Sequence, residues 1–266
     1  TYWSSPVDNQ IIKNFSPNTN NARFYTHDSS PGVYAWAVVP SVTTHIMAAA
    51  NGYIIRAPAG HPAGTPWPGE FYGRPRNGSY SINVFDNGLV AGIEQNRNLL
   101  GNPYPSAIDA DQFWSENSAH LTGNFYFWTH NTPSNGQVYL ANDYASYNAS
   151  GGTGTAATAP GVNNNAPNGF IAAGQGFFAE ASRDGTVTFN NTTRVAGNNG
   201  LFFRNANQSL ERHRVWLNVI NNQGAFKQTL VGYIEGATND RDARFDGEFI
   251  EAGNTVALYS LLNQDK

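Results

Sequence analysis

Residues Asn98 to Trp114, NLLGNPYPSAIDADQFW, run through a Gly-Asn-Pro-Tyr-Pro corner into a short helix pattern. Pro103 and Pro105 fix their own φ angles and push the residues before them toward extended backbone, so we expect a rigid corner. Asp109 begins an Asp-x-x-Gln pattern, which has the spacing of a capping box at a helix start. The stretch predicts a strand, a corner and then one or two helical turns over residues 109–117.

The composition is typical of turn-rich β structure. Only 13% of the 266 residues are charged, 13% are aromatic, 40% are hydrophobic, and there are 27 glycines. Aromatic and β-branched residues favour strands, and a chain of this length can bury a sizeable core. We therefore predict an all-β fold of the β-sandwich type with one short helix.

The same composition argues against several classes of function. A net charge of -4 without a basic cluster lacks the electrostatic footprint of a nucleic-acid-binding protein. No apolar run reaches the roughly 18 residues that would predict membrane insertion. With no cysteine there is no disulfide framework, thiolate nucleophile or cysteine zinc site, and the six histidines are too scattered for a zinc site.

An internal duplication is indicated by four blocks that recur in the same order. The paired blocks are residues 2–15 with 100–113, 23–36 with 124–130, 46–55 with 170–179, and 76–83 with 183–190. We predict a first β repeat unit over residues 1–97, a second over 98–198, and a third β unit over 199–266 that closes the sandwich.

Turn signals and alternation predict the strands inside these units. Asn77-Gly78 and Asp184-Gly185 are dipeptides of type I′ hairpin turns, each followed by alternating apolar residues. The runs that follow Gly52 and Gly176 predict buried strands entered through a glycine.

The remaining segments are predicted from composition and alternation. The Gly, Thr, Ala and Asn tract between residues 147 and 168 predicts an exposed loop. Residues 215–219 and 230–234 predict a longer hairpin, and residues 255–262 a final strand.

Six segments together resemble one known protein region: NLLGNPYPSAIDAD, FYFWTHNT, NGFIAAGQGFFAEAS, TVTFNNTTRV, RHRVWLNV and LVGYIEGATNDRDARFDGE. They resemble the C-terminal β-rich region of large secreted, adhesin-like proteins of the Bacteroidota, which are flavobacterial type IX secretion substrates. The resemblance implies a secreted or surface-displayed module that follows upstream domains in a parent protein, here without the sorting domain. It implies no particular activity.

A polar loop at residues 238–248 is the strongest candidate for a metal site. Ca²⁺ takes six to eight oxygen ligands in irregular geometry, and four carboxylates lie within this loop. They are Asp240, Asp242, Asp246 and Glu248. The alternative is a solvated loop in which Arg241 and Arg244 neutralise these carboxylates as surface ion pairs.

Several aromatic residues in loop-like contexts suggest a sugar-binding surface, because sugar sites combine ring stacking with hydrogen bonds to hydroxyls. The candidates are Trp67, Tyr72, Tyr144 and Tyr147. The alternative is that these rings cap the ends of a sandwich core. Trp36 and Trp128, at matching places in the two copies, are predicted to be core residues.

We therefore expect an extracellular or cell-surface, non-catalytic module with a structural or adhesive role, able to bind a glycan or another surface ligand. The rival hypothesis is a secreted hydrolase acting on polysaccharides. Its paired carboxylates would come from Glu70, Asp86, Glu94 and Glu116. A triad built on His130 has no nucleophile elbow to support it.

Overall fold

The computed structural model describes residues 2–62, 65, 67–129, 141–155, 166–198, 213–221, 225–250 and 256–261. Strands make up 39% of the structure and helices 10%, so the predicted all-β, sandwich-like class is confirmed. No helix in the described part of the chain is long and apolar enough to cross a membrane.

Eighteen strands and two α-helices follow one another along the described residues. The strands are β1 (Tyr2–Trp3), β2 (Phe24–Asp28), β3 (Ala35–Val38), β4 (Tyr53–Ile55), β5 (Tyr80–Val84), β6 (Leu89–Val90), β7 (Ile93–Glu94), β8 (Arg97–Gly101), β9 (Ala107–Asp109), β10 (Leu121–Trp128), β11 (Tyr144–Asn148), β12 (Gly151–Thr153), β13 (Phe170–Ile171), β14 (Gly176–Ala181), β15 (Gly185–Phe189), β16 (Arg194–Val195), β17 (His213–Ile220) and β18 (Phe226–Tyr233). The helices are α1 (Ile12–Phe15) and α2 (Ala110–Asn117), of which only α2 was predicted.

The chain divides into two compact units, each built from two separate segments. The first unit is Thr1–Thr122 with Phe170–Leu201, and the second is Gly123–Gly169 with Phe202–Lys266. These bounds differ from the three consecutive units predicted at residues 97 and 198. The internal duplication itself is a statement about sequence similarity and stays a prediction.

The first unit holds a four-stranded sheet in the order β1-β4-β2-β3. One side of this sheet packs on a cluster of buried side chains: Ile12, Phe15, Phe24, Val39, Val42, Met47, Tyr53 and Ile55. The short helix α1 supplies Ile12 and Phe15 to this core. The sheet is therefore anchored on one side by an apolar core.

The rigid corner forms around a buried asparagine, as the sequence predicts. The Asn102 side-chain amide donates to the carbonyls of Ser106, Ile171 and Ala172, and its oxygen accepts from the Tyr104 backbone. Tyr104 is fully buried, and its hydroxyl donates to the Gly78 carbonyl at 2.6 Å. The corner thus joins three parts of the first unit.

Helix α2 begins where the capping pattern places it. The Asp109 carboxylate accepts from the Gln112 backbone N–H at 2.9 Å, which satisfies a donor that the first turn leaves open. Phe113 on this helix stacks on Phe189, with ring centroids 4.4 Å apart. The helix is thereby held against strand β15.

The turn dipeptides predicted two local hairpins, and this prediction of strand pairing is wrong. Strands β5 and β15 do follow Asn77-Gly78 and Asp184-Gly185, but they pair with each other, in antiparallel register from Val84 opposite Gly185 to Tyr80 opposite Phe189. The turn dipeptides mark the strand starts correctly. They do not specify which strand becomes the neighbour.

Two buried strands begin at or directly after a glycine, because the side chains around each glycine leave no room for a Cβ. A Cβ on Gly52 would lie 2.6 Å from Leu99, and one on Gly176 would lie 2.8 Å from Tyr2. These strands are β4 and β14, both predicted from the sequence. The apolar face of each can then pack closely on its neighbour.

In the second unit, β10, β11 and β12 are antiparallel neighbours, and β17 pairs with β18 over eight residue pairs. The predicted exposed loop is wrong in its first part, because Gly151 and Gly152 form strand β12 and are buried. A Cβ on Gly152 would lie 2.0 Å from the Pro167 carbonyl oxygen, so glycine is required by close packing. Residues 156–165 of that prediction lie outside the described residues.

The long hairpin predicted over residues 215–234 is confirmed by β17 and β18. The final strand predicted over residues 255–262 is not present in its described part, 256–261.

Candidate functional site

The second side of the β1-β4-β2-β3 sheet carries aromatic side chains that are only partly covered. Side chains alternate between the two faces of a strand, and directly opposite residues share a face. Phe24 is in the core, so Tyr25 and His27 point to the other side, together with their partners Val38 and Trp36. Trp36 is 43% exposed and Val38 is 52% exposed. We call Tyr25, His27, Trp36 and Val38 the aromatic face.

Trp36 is held in place by other rings although it is accessible to solvent. Its ring lies 5.1 Å from that of His27 and 5.8 Å from that of Phe178, both T-shaped, and 5.9 Å from that of the buried Tyr2. Aromatic pairs in such geometries stabilise each other beyond their area of contact. The prediction that Trp36 is a core residue is therefore wrong, and the ring is both ordered and available.

His27 lies at the base of the aromatic face and is neutral. Its ring makes T-shaped contacts with Tyr34 at 4.8 Å, Trp36 at 5.1 Å and Phe178 at 5.3 Å. Burial among these rings lowers the pKa of His27 to about 4, which outweighs the opposite effect of the neighbouring Asp28. The aromatic face consequently carries no charge at neutral pH.

The hydrogen bonds of His27 exclude it as an activating base for Ser29. The Ser29 hydroxyl donates to the Arg97 carbonyl at 3.0 Å, which uses its single proton. The 2.9 Å contact between Ser29 Oγ and His27 Nδ1 must then be donated by the imidazole. A serine nucleophile needs the reverse direction of proton transfer, so this pair positions His27 and does not activate Ser29.

Tyr34 borders the face in a backbone conformation that is rare for a bulky residue. Its φ is 36°, in the left-handed region. Burial raises the pKa of its hydroxyl, although hydrogen bonds with Arg97 oppose that shift. Such a conformation persists only where the surroundings over-determine it, and here Arg97 and the His27 ring hold the side chain.

The two aromatic residues predicted in the first repeat unit, Trp67 and Tyr72, lie near each other in sequence and differ in their exposure. Trp67 is half-buried, its indole N–H donates to Ser16 Oγ at 3.0 Å, and its ring makes a T-shaped contact with His61. Tyr72 is 63% exposed, and its hydroxyl donates to Glu70. Trp67 is thus tied to the core side, while Tyr72 remains accessible.

The two predicted tyrosines in the second unit both lie on β11. Tyr147 is only 5% exposed, so it cannot stack on a ligand, and it belongs to the core alternative. Tyr144 is half-buried and forms a cross-strand T-shaped pair with Trp128 at 4.9 Å. This strand does not present two flat rings to solvent.

The acidic loop is fastened by its own hydrogen bonds and to the strands beside it. Asp242 accepts from the Thr238 backbone, Asp246 accepts from the Asp242 backbone at 2.7 Å, and Glu248 forms an ion pair with Arg241. Within the described residues, no group of three or more His, Asp or Glu side chains could hold a metal ion. A Ca²⁺ ion at Asp240, Asp242, Asp246 and Glu248 stays a prediction.

Most of the carboxylates considered for a hydrolase serve local structure. Asp86 accepts from the Gly88 backbone, and Glu70 accepts from Tyr72. Burial acts to raise the pKa of Glu116, but hydrogen bonds from Thr192, Gln112 and Asn190 lower it overall. Glu116 is therefore an ionised acceptor, the opposite of a general acid. His130 lies outside the described residues.

The aromatic face was not predicted from the sequence, because the apolar strand segment around Trp36 predicted a buried side chain. The run Tyr-Ala-Trp-Ala-Val-Val at residues 34–39 contains no polar residue, which favours burial on both sides. The structure instead places β3 at the edge of its sheet, where all four residues are exposed. Strand order, which a local pattern does not encode, decides this exposure.

The fold and this face together define an all-β protein with an uncharged aromatic surface on one sheet. The chain matches a family model described as a domain of unknown function (DUF8693) over residues 1–266, and it belongs to that family. Comparisons with curated proteins and with solved structures found no match.

Proposed function

We propose that this chain is a non-catalytic binding module of a secreted or surface-displayed bacterial protein, and that its aromatic face binds a neutral glycan. The main support for this proposal is the environment of Trp36. Its side chain is 43% exposed, and three neighbouring rings hold it in place. A fixed ring loses little conformational entropy on stacking against the apolar face of a sugar.

The absence of charge on the aromatic face selects the class of glycan. Tyr25, Trp36 and Val38 are uncharged, and His27 is neutral at physiological pH because of its lowered pKa. An acidic sugar would lose hydration on these four side chains without gaining a cationic partner among them. A neutral hexose or pentose chain, with the Tyr25 hydroxyl as a hydrogen-bonding group, fits this chemistry.

The non-catalytic part of the proposal is supported by the way the polar groups are used. Ser29 donates its proton to a backbone carbonyl, and Glu116 is held ionised by hydrogen-bond donors. General acid catalysis of glycoside cleavage needs a carboxyl group with a raised pKa. A polysaccharide hydrolase remains the rival function.

The extracellular location is proposed from the sequence resemblance to secreted Bacteroidota proteins. The lack of cysteine and the low content of charged residues are compatible with an exported chain. In this proposal the module supports or supplements the adhesive function of the upstream domains of its parent protein.

The test is a glycan array followed by titration of the best neutral ligand. We expect the intact chain to bind, and Trp36→Ala to lower the affinity by about tenfold or more, since each tenfold is ~1.4 kcal/mol. Trp216→Ala is the matched control, because Trp216 is 42% exposed on another strand. Trp67→Ala tests the site predicted from the sequence.

The outcomes separate the hypotheses. Equal loss in Trp36→Ala and Trp216→Ala would indicate nonspecific adsorption to tryptophan, and loss only in Trp67→Ala would return the site to the loop at residue 67. Release of reducing ends from a bound polysaccharide would favour the hydrolase. No binding across the array would leave a structural module.

A further inference from the structure

Strand β3 leaves one edge of the β1-β4-β2-β3 sheet open. It is the last strand of the sheet, and all four of its residues are exposed. The opposite edge, at β1, is covered, since the Ser4 N–H donates to the Gly174 carbonyl at 2.7 Å. Trp3 also forms an isolated β-bridge with Gln175. Among the residues that the structure describes, β3 is therefore the only edge of this sheet without a pairing partner.

The pairing of β2 with β3 shows which backbone groups face the open edge. The Val39 N–H donates to the Phe24 carbonyl at 2.9 Å, so residue 39 directs its backbone groups to β2. Successive residues of a strand direct these groups to opposite edges. Ala37 therefore bonds to β2 as well, whereas Trp36 and Val38 each direct one N–H and one C=O to the open edge.

The segment that can pair at this edge is symmetric about Ala37. On one side, the next outward position is Pro40, which has no N–H to donate. On the other side it is Tyr34, whose φ of 36° takes the backbone out of the extended conformation. Each position lies three residues from Ala37, so the segment extends equally far in both directions.

A segment with this symmetry is complementary to a second copy of itself. When Ala37 lies opposite Ala37 of the copy in an antiparallel pair, Trp36 lies opposite Val38 of the copy. The outward groups of one strand then meet those of the other, and each N–H finds a C=O. Pro40 lies opposite Tyr34 of the copy, so the position without a donor meets the position where the strand ends.

The side chains of β3 also suit such a contact. Natural edge strands avoid pairing with other chains through lysines, prolines or inward-pointing charges. Between Ala35 and Val38 the strand contains none of these. Trp36 opposite Val38 of the copy is an aromatic residue paired with a β-branched one, a combination that stabilises neighbouring strands.

We propose that β3 pairs antiparallel with β3 of a second copy, about a twofold axis at Ala37. A twofold contact uses the same surface on both copies and closes with two subunits. Because the edge at β1 is covered, the sheet does not extend further. The result is one continuous sheet shared by two chains.

The contact joins the aromatic faces of the two copies. The twofold axis is perpendicular to the shared sheet, so both faces lie on the same side of it. The two Trp36 residues are diagonal neighbours, roughly 7–8 Å apart. For the glycan the consequence rests on the proposed function: two exposed rings on one surface contact a longer stretch of a neutral chain than one ring does.

Single cysteines test the register, because the protein has no cysteine of its own. The two Ala37 residues form a non-hydrogen-bonded pair with Cα atoms ~4.5 Å apart, within reach of a disulfide. The two Ala35 residues are about 14 Å apart, since four residues at ~3.4 Å each separate them along the strand. We expect Ala37→Cys to form a disulfide-linked dimer under mild oxidation. Ala35→Cys, also exposed, is the matched control and should do so about tenfold more slowly or less.

Sedimentation velocity without glycan measures the association itself. The wild-type chain should show a concentration-dependent equilibrium between monomer and dimer. Val38→Lys should shift it to monomer, because lysine on an edge strand opposes pairing. Leu89→Lys is the matched control and should dimerise like the wild type, since Leu89 is 65% exposed in β6 of the same unit.

Three results would overturn the proposal: equal cross-linking of the two cysteine variants, a wild-type chain that is monomeric at every concentration, or a dimer that Val38→Lys leaves intact. The outcome is separate from that of the proposed function. A dimer that binds no glycan would contradict only the binding proposal, and a monomer that binds one would contradict only the dimer.

Discussion

His27 is a single residue on which the aromatic face depends. Its imidazole fills the space between three rings and donates to Ser29, and burial among these rings favours the neutral form. A positive charge at this position would lose hydration among apolar rings. The order of Trp36 is therefore linked to the protonation state of a residue beneath it.

This linkage predicts a loss of stability in acid. The pKa of His27 is about 4 in the folded protein and 6.5 is its ordinary value, so the unfolded chain takes up the proton first as the pH falls. Stability is full above pH 6.5 and declines between 6.5 and 4, by at most on the order of 3 kcal/mol at ~1.4 kcal/mol per pKa unit. Urea unfolding at several pH values measures the decline.

His27→Gln isolates this contribution, because glutamine can donate to Ser29 but does not titrate. The difference in unfolding free energy between wild type and His27→Gln should change across this pH range. His213→Gln, at an exposed position, is the control for the substitution of a histidine by glutamine. A pH-independent difference for His27→Gln would contradict the assignment.

Asn102 shows what sequence reasoning can establish at the level of one residue. Two prolines that follow it, Pro103 and Pro105, predict a rigid corner, since proline restricts its own backbone and that of the residue before it. The three carbonyls that its amide satisfies come partly from residues 171 and 172, which are distant in sequence. The corner was predictable; its partners were not, because they depend on tertiary packing.

At the level of secondary-structure elements, the start of helix α2 is determined by residues that are close together in the sequence. The Asp109 carboxylate caps the helix through the Gln112 N–H, as the pattern predicts. Asp109→Ala should lower the unfolding free energy by ~1 kcal/mol, the usual cost of losing an N-cap. Chemical denaturation measures this change.

Asp109→Asn is the matched control for the cap. Asparagine is about as good an N-cap as aspartate because it keeps the side-chain oxygen. The control should therefore retain most of the stability that Asp109→Ala loses. Equal loss in both variants would mean that the charge, through the helix dipole, matters more than the hydrogen bond.

Strands β5 and β15 show where local signals stop being sufficient. Both strands and both turn dipeptides were predicted, yet each strand pairs with the other, about a hundred positions away. The sequence of a two-residue turn determines only the backbone conformation of those two residues. Strand pairing depends instead on which apolar faces can be buried together. For the same reason the exposure of Trp36 on edge strand β3 could not be predicted.

At the scale of the whole molecule, the Ca²⁺ hypothesis predicts that a bound ion contributes to the thermal stability of this protein, which has no disulfides. If Ca²⁺ binds the loop at residues 240–248, chelation by EDTA should lower the melting temperature and added Ca²⁺ should restore it. Asp240→Asn with Glu248→Gln should remove the response. If neither EDTA nor Ca²⁺ changes the melting temperature, the alternative holds: a solvated loop with an ion pair between Arg241 and Glu248.

The interleaved first unit predicts how fragments of the chain behave. A fragment of residues 1–97 matches the first predicted repeat, but it lacks β14 and β15. Strand β5 then has no partner, and the buried Val84 loses its neighbour opposite, Gly185. The four-stranded sheet keeps its core, but its second side loses Phe178 of β14, which packs on Tyr2, His27 and Trp36. We expect this fragment to show no cooperative urea transition and little near-ultraviolet circular dichroism.

A longer fragment of residues 1–201 is the control, because it contains both segments of the first unit, Thr1–Thr122 and Phe170–Leu201. It should unfold cooperatively and keep the near-ultraviolet signal of packed aromatics. Folding of residues 1–97 alone would show instead that the repeat is an autonomous domain. The pairing of β5 with β15 would then be a contact between two finished units, and the sequence-derived boundary at residue 97 would be the structural one.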